Sequence, residues 1–345
     1  MAGCYPLCYR VLERKNMLDS FVFAFNSVSP IIMTVAVGYI LKRMGFISAD
    51  FVKMANKLVF RIFLPAMLFL NVYGIDDLGQ MSFGYVIYTV IAVIAVFAIM
   101  IPVSIATTKD PGARGALLQS SFRSNYALIG IPLATTLFPG EGAAAATLLS
   151  AVSIPVFNTL AVIALSLFKP GEGKGKVKRV LLGIVKNPLI LSIFAGLATL
   201  GIRAVFVNVG IGFRLSEVTA IFSTLKYLSN VATPLALIVL GAQFEFSAIS
   251  SMKREITVGT LVRTVFVPLL GLGIAYVAFG KSFDGAQFAS LVAVFATPVA
   301  VSSVPMAQEM GADATLAGQL VVWTTLVSAF SVFLSSFLLS LAGIF

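Results

Sequence analysis

Two apolar stretches of the chain hold small polar side chains, and one of them holds an arginine. Residues 119–132 read QSSFRSNYALIGIP, and residues 296–305 read ATPVAVSSVP. A guanidinium holds a carboxylate through two parallel hydrogen bonds, and amide or hydroxyl groups can complete such a site. These residue types predict a binding site for a small organic anion. The candidate binding residues are Ser121, Arg123, Asn125, Tyr126, Asn158, Thr297, Ser302, Ser303 and Gln308.

Prolines and a glycine predict that both stretches are interrupted helices. A proline removes one helical hydrogen bond and clashes with the carbonyl four residues earlier. Open backbone at membrane depth is tolerated only where it is buried in protein or faces a watery cavity, and free amides of a half-helix attract an anion. Proline kinks in packed helices are the alternative, but two corresponding interruptions favour a transport site. The candidate break residues are Gly130, Pro132, Pro298 and Pro305.

Single members of this set also have structural explanations. Asn125 in the middle of an apolar segment is costly unless it is bonded, which favours a role in the ligand site or the helix break. Arg123 lies about 15 Å along its helix, and it either holds a carboxylate or extends to the cytoplasmic face. Asn158 either lines a cavity or bonds a neighbouring helix. The hydroxyl residues also suit helix packing in membranes.

The composition defines the class of protein that must position these residues. The chain has 345 residues, of which 59% are apolar and 11% are charged, against about 25% charged in soluble domains. This excludes a soluble globular protein, a disordered chain and a nucleic-acid binder. The absence of histidine removes a common general base and metal ligand. Cys4 and Cys8 cannot form a disulfide framework. We expect no metal and no cofactor.

Ten charge-free stretches of at least 14 residues predict ten membrane-spanning helices in an all-α polytopic protein. The shorter ones reach about 20 residues if flanking arginines such as Arg61 and Arg263 extend to the interface. Alternation typical of a barrel is absent. The stretches are 20–41, 62–75, 78–108, 124–140, 142–168, 187–202, 227–244, 264–280, 285–308 and 314–345.

The distribution of lysine and arginine predicts the orientation in the cell membrane. Basic residues concentrate in alternate gaps, above all in residues 169–186, and the positive-inside rule places those gaps in the cytoplasm. Both termini are then expected outside. Residues 1–18 form a polar tail without the apolar core of a cleaved signal, and Met1 and Met17 remain alternative starts.

An internal repeat divides the chain into two five-helix units, residues 19–168 and 187–345, joined by the basic linker 169–186. Five spans is an odd number, so the second unit must be inverted relative to the first, as in many secondary transporters. In this register Asn125 falls opposite Pro298. The matches are Pro30 and Gly38 with Pro188 and Gly196, Pro65 with Pro234, and Ile129–Ala134 with Ser302–Ala307.

The segment Ser124–Leu133, together with Ala296–Pro298 and Ala307–Glu309, resembles the auxin efflux carrier family. That family includes plant auxin exporters and bacterial and archaeal permeases associated with malate or malonate. The resemblance extends over the chain from Met17. Plant exporters have a proline before the asparagine where this chain has Ser124, which makes auxin itself a poor expectation.

The resemblance implies an architecture and a mechanism. Helices four and nine would be broken and cross at the site. Spans one, two, six and seven would form a scaffold, and the other six would form a domain that moves as an elevator. Asn125 matches the crossover asparagine of the family, and Pro298 matches the second crossover proline.

The expected function is movement of a small organic anion, such as malate, malonate or an auxin-like acid, down its gradient and the membrane potential. Mid-span carboxylates are absent from the sequence, which disfavours a proton relay and gives little support to a sodium site. A sodium-coupled symporter of the bile-acid type and a channel or receptor-like protein remain alternatives. No enzyme motif is present. Expected partners are the anion and membrane lipid but not nucleic acid, and a homodimer through the scaffold helices is left open.

Overall fold

The computed structural model describes residues 29–74, 83–138, 141–168, 185–210 and 212–345. These residues are almost entirely helical, and the one strand-like feature among them is a bridge between Ser124 and Val299. The predicted tail 1–18 and residues 169–184 of the predicted linker lie outside the described residues.

The helices of seven residues or more are numbered in chain order, with two pieces each for α4 and α9. They are α1 (29–43), α2 (Ala49–Tyr73), α3 (Phe83–Thr107), α4a (Pro111–Phe122), α4b (Tyr126–Leu137), α5 (Glu141–Leu167), α6 (Pro188–Asn208), α7 (Thr219–Gln243), α8 (Lys253–Phe279), α9a (Gly285–Phe295), α9b (Ser303–Glu309) and α10 (Ala314–Leu341).

Seven of the described helices are long and apolar enough to cross a membrane, namely α2, α3, α5, α6, α7, α8 and α10. The pieces α4b and α9a are apolar but shorter. Large apolar side chains such as Met33, Phe194 and Val277 are exposed on the outer faces, as expected where helices meet lipid rather than water. The chain is therefore an all-helical polytopic membrane protein, while the count of ten crossings and the inverted repeat stay predictions.

Helices α4a and α10 begin close to each other, and each has an aspartate as its N-cap residue. The Ala113 N–H donates to Asp110 Oδ2 over 2.6 Å at the start of α4a, and the Leu316 N–H donates to Asp313 Oδ1 over 2.8 Å at the start of α10. Burial raises the pKa of Asp313, and the charges of Asp110 and Glu255 add to this, although the bond from Leu316 opposes it. The caps fix where both helices enter the protein.

Helices α1 and α7 approach so closely that glycine is required on both. A methyl group at Gly38 would overlap the Ile238 carbonyl, and one at Gly241 would overlap the Val35 carbonyl. Backbones that meet at glycines pack tightly in the membrane, where small residues let helices approach. Helix α2 in turn packs along α6 and α7. Helices α1, α2, α6 and α7 thus form one packed group.

The other helices gather around α9a. Helix α5 packs on α3, on both pieces of α4 and on α9a. All residues of α9a from Phe288 to Phe295 are buried. Helix α9a therefore lies inside this second group, whereas α4b keeps exposed residues, among them Leu128.

Candidate functional site

Helices α4 and α9 are both interrupted, and their interruptions pair with each other. Helix α4a ends at Phe122 and α4b begins at Tyr126, while α9a ends at Phe295 and α9b begins at Ser303. The extended segments run antiparallel: the Asn125 N–H donates to the Pro298 carbonyl over 2.8 Å, and the Ala300 N–H donates to the Arg123 carbonyl over 3.2 Å. Two N–H groups and two carbonyls that the breaks release are thus satisfied across the crossing.

Side chains reinforce the crossing. The hydroxyl oxygens of Ser124 and Thr297 lie 2.6 Å apart, and the Val299 N–H donates to Thr324 Oγ1 on α10 over 3.1 Å. Such buried and fully bonded polar groups favour one arrangement of the two extended segments over others.

Three of the four expected break residues lie beyond the breaks, which corrects the sequence interpretation. Gly130 and Pro132 belong to the continuous helix α4b, and Pro305 lies in the first turn of α9b. A proline near a helix start is tolerated because its missing N–H has no partner to lose there. Gly130 serves close packing, since a Cβ there would lie 2.7 Å from the Tyr126 ring. Pro298 lies within the interruption of α9.

A cavity of about 200 Å³ lies beside the crossing. Five predicted binding residues line it: Arg123, Asn125, Tyr126, Asn158 and Ser302. The opposite wall comes from α2 and α7, through residues that include Leu64, Leu68, Asn71, Thr233 and Ala236. The cavity therefore lies between the two packed groups of helices, and none of its lining residues is acidic.

Arg123 is 3% exposed and does not extend to the cytoplasmic face, which corrects that alternative. Its Nη1 donates to Ser303 Oγ over 3.2 Å, and its Nη2 donates to Asn158 Oδ1 over 2.7 Å. Asn158 is itself held because its Nδ2 donates to the Ile154 carbonyl over 2.8 Å. Both partners of the guanidinium are neutral, so its charge is positioned without being balanced.

Several donors at the cavity lack an acceptor. The Nδ2 atoms of Asn71 and Asn125 are buried and have no hydrogen-bond partner among the described residues. The N–H groups of Tyr126, Ala127 and Leu128 stand in the first turn of α4b, where amides have no intrahelical acceptor, and they donate to no described residue. A buried donor without a partner is costly, so the two asparagine amides suit a ligand rich in acceptors. The three N–H groups, of which those of Ala127 and Leu128 belong to exposed residues, add further donors.

Ser121, Thr297 and Ser303 were also predicted, but they do not line the cavity. Ser303 holds Arg123, Thr297 bonds Ser124, and the Ser121 hydroxyl donates to the Leu118 carbonyl over 2.7 Å. Although Tyr126 lines the cavity, its hydroxyl donates to the Ala146 carbonyl on α5 over 3.0 Å. Its ring anchors the start of α4b.

The comparison with known proteins identifies the family. The sequence profile of a family described as membrane transport protein matches residues 23–335. The chain belongs to this family, the auxin efflux carriers. An "uncharacterized transporter" of Methanothermobacter thermautotrophicus is 25% identical over 90% of this chain and 97% of its own length. A second one, of Methanocaldococcus jannaschii, is 27% identical over 61% of this chain and 66% of its own length. The family is one of membrane transporters and not of enzymes.

In this auxin efflux carrier family member, Gln308 lies in an amide cluster away from the cavity. We define the amide cluster as Asn56 on α2, Gln243 on α7 and Gln308 on α9b. Asn56 Nδ2 donates to Gln308 Oε1 and to Gln243 Oε1, and Gln243 Nε2 donates to Gln308 Oε1 over 2.8 Å. Nearby, Arg61 Nε and Glu309 Oε2 form an ion pair with a separation of 3.8 Å. The cluster joins α9b to the group of helices around α2.

Arg263 on α8 is a buried residue of the crossing that the sequence analysis assigned to the membrane interface. It is 1% exposed, and its guanidinium donates to the carbonyls of Ser121, Val294 and Thr297. Arg263 therefore does not lie at the membrane interface. The local sequence cannot distinguish the two positions, because an arginine beside an apolar stretch can face either lipid headgroups or a broken helix.

Asn71 is a second residue that the sequence analysis missed. It lies inside the charge-free stretch 62–75, and a polar side chain among apolar ones, the signal that singled out Asn125, could have marked it. Gln243 is the last residue of α7, and Asn56 lies between Lys53 and Lys57, ahead of the charge-free stretch 62–75, so no comparable signal marks them.

Proposed function

We propose that this transporter carries a small organic anion, with a carboxylate of the ligand bound at the crossing of α4 and α9. The observation that carries the proposal is Arg123, a buried guanidinium at the cavity wall with neutral partners only. A buried charge is stable when it is paired, and the anion supplies the pairing. Asn125 Nδ2 and the free amides of α4b add donors on the same wall.

The cavity favours a small ligand. Its volume of about 200 Å³ is below the 300–1,000 Å³ typical of pockets for drug-sized molecules. A short-chain carboxylate such as malate or malonate suits this volume, and Leu64 and Leu68 contribute apolar surface on the facing wall. One carboxylate of the ligand would bind the crossing, and the second carboxylate of a dicarboxylate would accept from Asn71 Nδ2 on the facing wall.

We propose an elevator-type alternating-access mechanism in which α1, α2, α6 and α7 are the scaffold and the remaining helices carry the site. The cavity and the amide cluster both lie between these groups. Asn56 and Asn71 on α2 mark the two positions, about 22 Å apart by helical rise. The amide cluster would close one side of the crossing while the cavity serves the other, and movement would exchange the two states.

The proposed topology has ten crossings in two inverted five-helix repeats, with both termini outside. The interruptions of α4 and α9, which pair in antiparallel fashion, support an inverted relation. In this orientation the amide cluster faces the cytoplasm. Moving one negative charge outward from a negative interior is favourable by about 2.3 kcal/mol per 100 mV, so the potential would drive export.

The first test is a thermal-shift screen of the purified protein with malate, malonate, other dicarboxylates and indole acids. At least one carboxylate is expected to raise Tm saturably. Arg123→Gln should abolish that rise, and Arg123→Lys should retain part of it. Arg254→Gln is the matched control, because Arg254 is exposed and its side chain bonds the Ala106 carbonyl on the surface, away from the cavity. A ligand-induced rise of equal size in Arg123→Gln and Arg254→Gln would refute the site.

The second test is uptake into proteoliposomes with and without sodium. Saturable counterflow of the carboxylate found in the screen is expected for a carrier. Conduction that does not saturate and shows no counterflow would indicate a channel, and a requirement for sodium would indicate the symporter alternative.

A further inference from the structure

Arg263 binds the face of the crossing that is turned away from the cavity. Its Nε donates to the Thr297 carbonyl over 2.9 Å, its Nη2 to the Val294 carbonyl over 2.8 Å and its Nη1 to the Ser121 carbonyl over 3.4 Å. None of these four residues lines the cavity. One side chain from α8 therefore joins both broken helices at once.

The three acceptors lie where the breaks leave backbone carbonyls without helical partners. Ser121 lies in the last turn of α4a, Val294 in the last turn of α9a, and Thr297 just beyond it. The C-terminal ends of helices carry partial negative charge. In many transporters with broken helices, such carbonyls coordinate the coupling sodium ion.

The charge of Arg263 is held by these carbonyls alone. Among the residues that the structure describes, the guanidinium has no carboxylate within ion-pair distance. The carbonyl oxygens of two helix ends, together with a third carbonyl oxygen, thus surround one fixed cation. The same oxygen atoms could serve as ligands of a small dissociable cation.

We propose that Arg263 is a tethered cation that occupies the place of a coupling sodium ion, so that transport is independent of sodium. The proposal rests on the proposed function. A charge that is fixed to the protein moves out and back with the moving helices in each transport cycle, so it contributes nothing to the net charge transported. The anion gradient and the membrane potential are then the only driving forces. Arg263 is a positioning residue, because it touches backbone of the crossing and not the ligand.

The thermal test requires no transported ligand. Wild-type Tm is expected to be the same in sodium chloride and in choline chloride at equal ionic strength. Arg263→Ala removes the cation and leaves space, so its Tm should fall and then rise saturably with sodium or low concentrations of guanidinium, but not with choline. Arg263→Met is the matched control, because its side chain fills the space without a charge and should give no cation response.

Two outcomes overturn the proposal. One is a sodium-specific rise in wild-type Tm or in wild-type uptake. The other is an Arg263→Ala protein that is folded but responds to sodium and guanidinium no more than Arg263→Met does. If Arg263→Ala does not fold, Arg263→Lys decides: the proposal expects it to be more stable than Arg263→Met, whereas a packing role expects the reverse.

The two proposals fail separately. If Arg263→Ala shows the cation response while no carboxylate shifts Tm, the anion assignment fails and the tethered cation stands. If carboxylates bind through Arg123 while Arg263→Ala stays insensitive to cations, the anion site stands and the tethered cation is wrong.

Discussion

Replacement of Asn125 by alanine separates ligand binding from stability at the crossing. The substitution removes an Nδ2 atom that has no acceptor among the described residues. It retains the backbone bonds from the Asn125 N–H to the Pro298 carbonyl and from the Ile129 N–H to the Asn125 carbonyl. A buried donor without a partner costs about 1–3 kcal/mol. The ligand-free variant should therefore be at least as stable as the wild-type protein.

Binding should change in the opposite direction. A hydrogen bond to a charged group contributes about 1.5–3 kcal/mol, which corresponds to a dissociation constant roughly 10- to 150-fold higher in the variant. The assay is titration of both proteins with the carboxylate that gives the largest thermal shift. Tm without ligand reports stability, and the dependence of Tm on ligand concentration reports affinity.

Asn187→Ala supplies the matched control. Asn187 is also a buried asparagine, but its Oδ1 accepts from the Leu189 N–H over 2.9 Å at the start of α6, outside the cavity. Loss of this cap should lower stability by about 0.5–2 kcal/mol and leave affinity unchanged. An Asn125→Ala protein that loses stability as Asn187→Ala does, with wild-type affinity, would refute the reasoning.

Three further predictions follow from the packing. Gln308→Leu removes the shared acceptor of the amide cluster, so hydrogen exchange in α9b should become faster without loss of ligand affinity; unchanged exchange would count against a closing role. Gly241→Ala should lower Tm, equivalent to about 1–3 kcal/mol, because the new methyl overlaps α1, whereas Gly201→Ala, with no neighbour within 4 Å, should be neutral or stabilising. Asp313→Asn retains a capping group. Because the pKa of Asp313 is raised from 3.8, the folded wild-type protein binds a proton before the unfolded chain does, so it gains stability as pH falls through the raised pKa. A Tm series across that range should lack this gain in the variant.

The crossing shows how far local sequence reaches. Apolar composition gives the membrane class, and proline with small polar residues marks α4 and α9 as unusual. In α4, however, the interruption at residues 123–125 precedes Gly130 by five positions. The break pairs with residues 298–300 of the other half. The repeat register, which sets Asn125 opposite Pro298, points to this position, whereas the local pattern of Gly130 and Pro132 does not.

Arg263 shows a different limit. Its three acceptors are 31, 34 and 142 residues away in sequence. The residues next to Arg263 in the chain therefore do not reveal that it bonds backbone carbonyls. For Gln308, too, neighbouring residues in the sequence do not reveal the contact partner. It follows the crossing closely in sequence, yet its amide lies with Asn56 on α2, 252 residues away. Side-chain direction at a broken helix depends on how the halves meet.

Two buried guanidinium groups on opposite faces of one crossing give a physical basis for selectivity. Arg123 faces the cavity with neutral partners, and Arg263 faces carbonyls on the other side. Cations and zwitterions that present an ammonium group would meet a like charge that no carboxylate of the described cavity lining screens, and such juxtaposition costs several kcal/mol at a buried contact. In the proposed site an anion would meet the opposite field and pair the guanidinium of Arg123. Discrimination by charge sign therefore needs no acidic residue, because repulsion of the wrong ligand and attraction of the right one come from the same side chain.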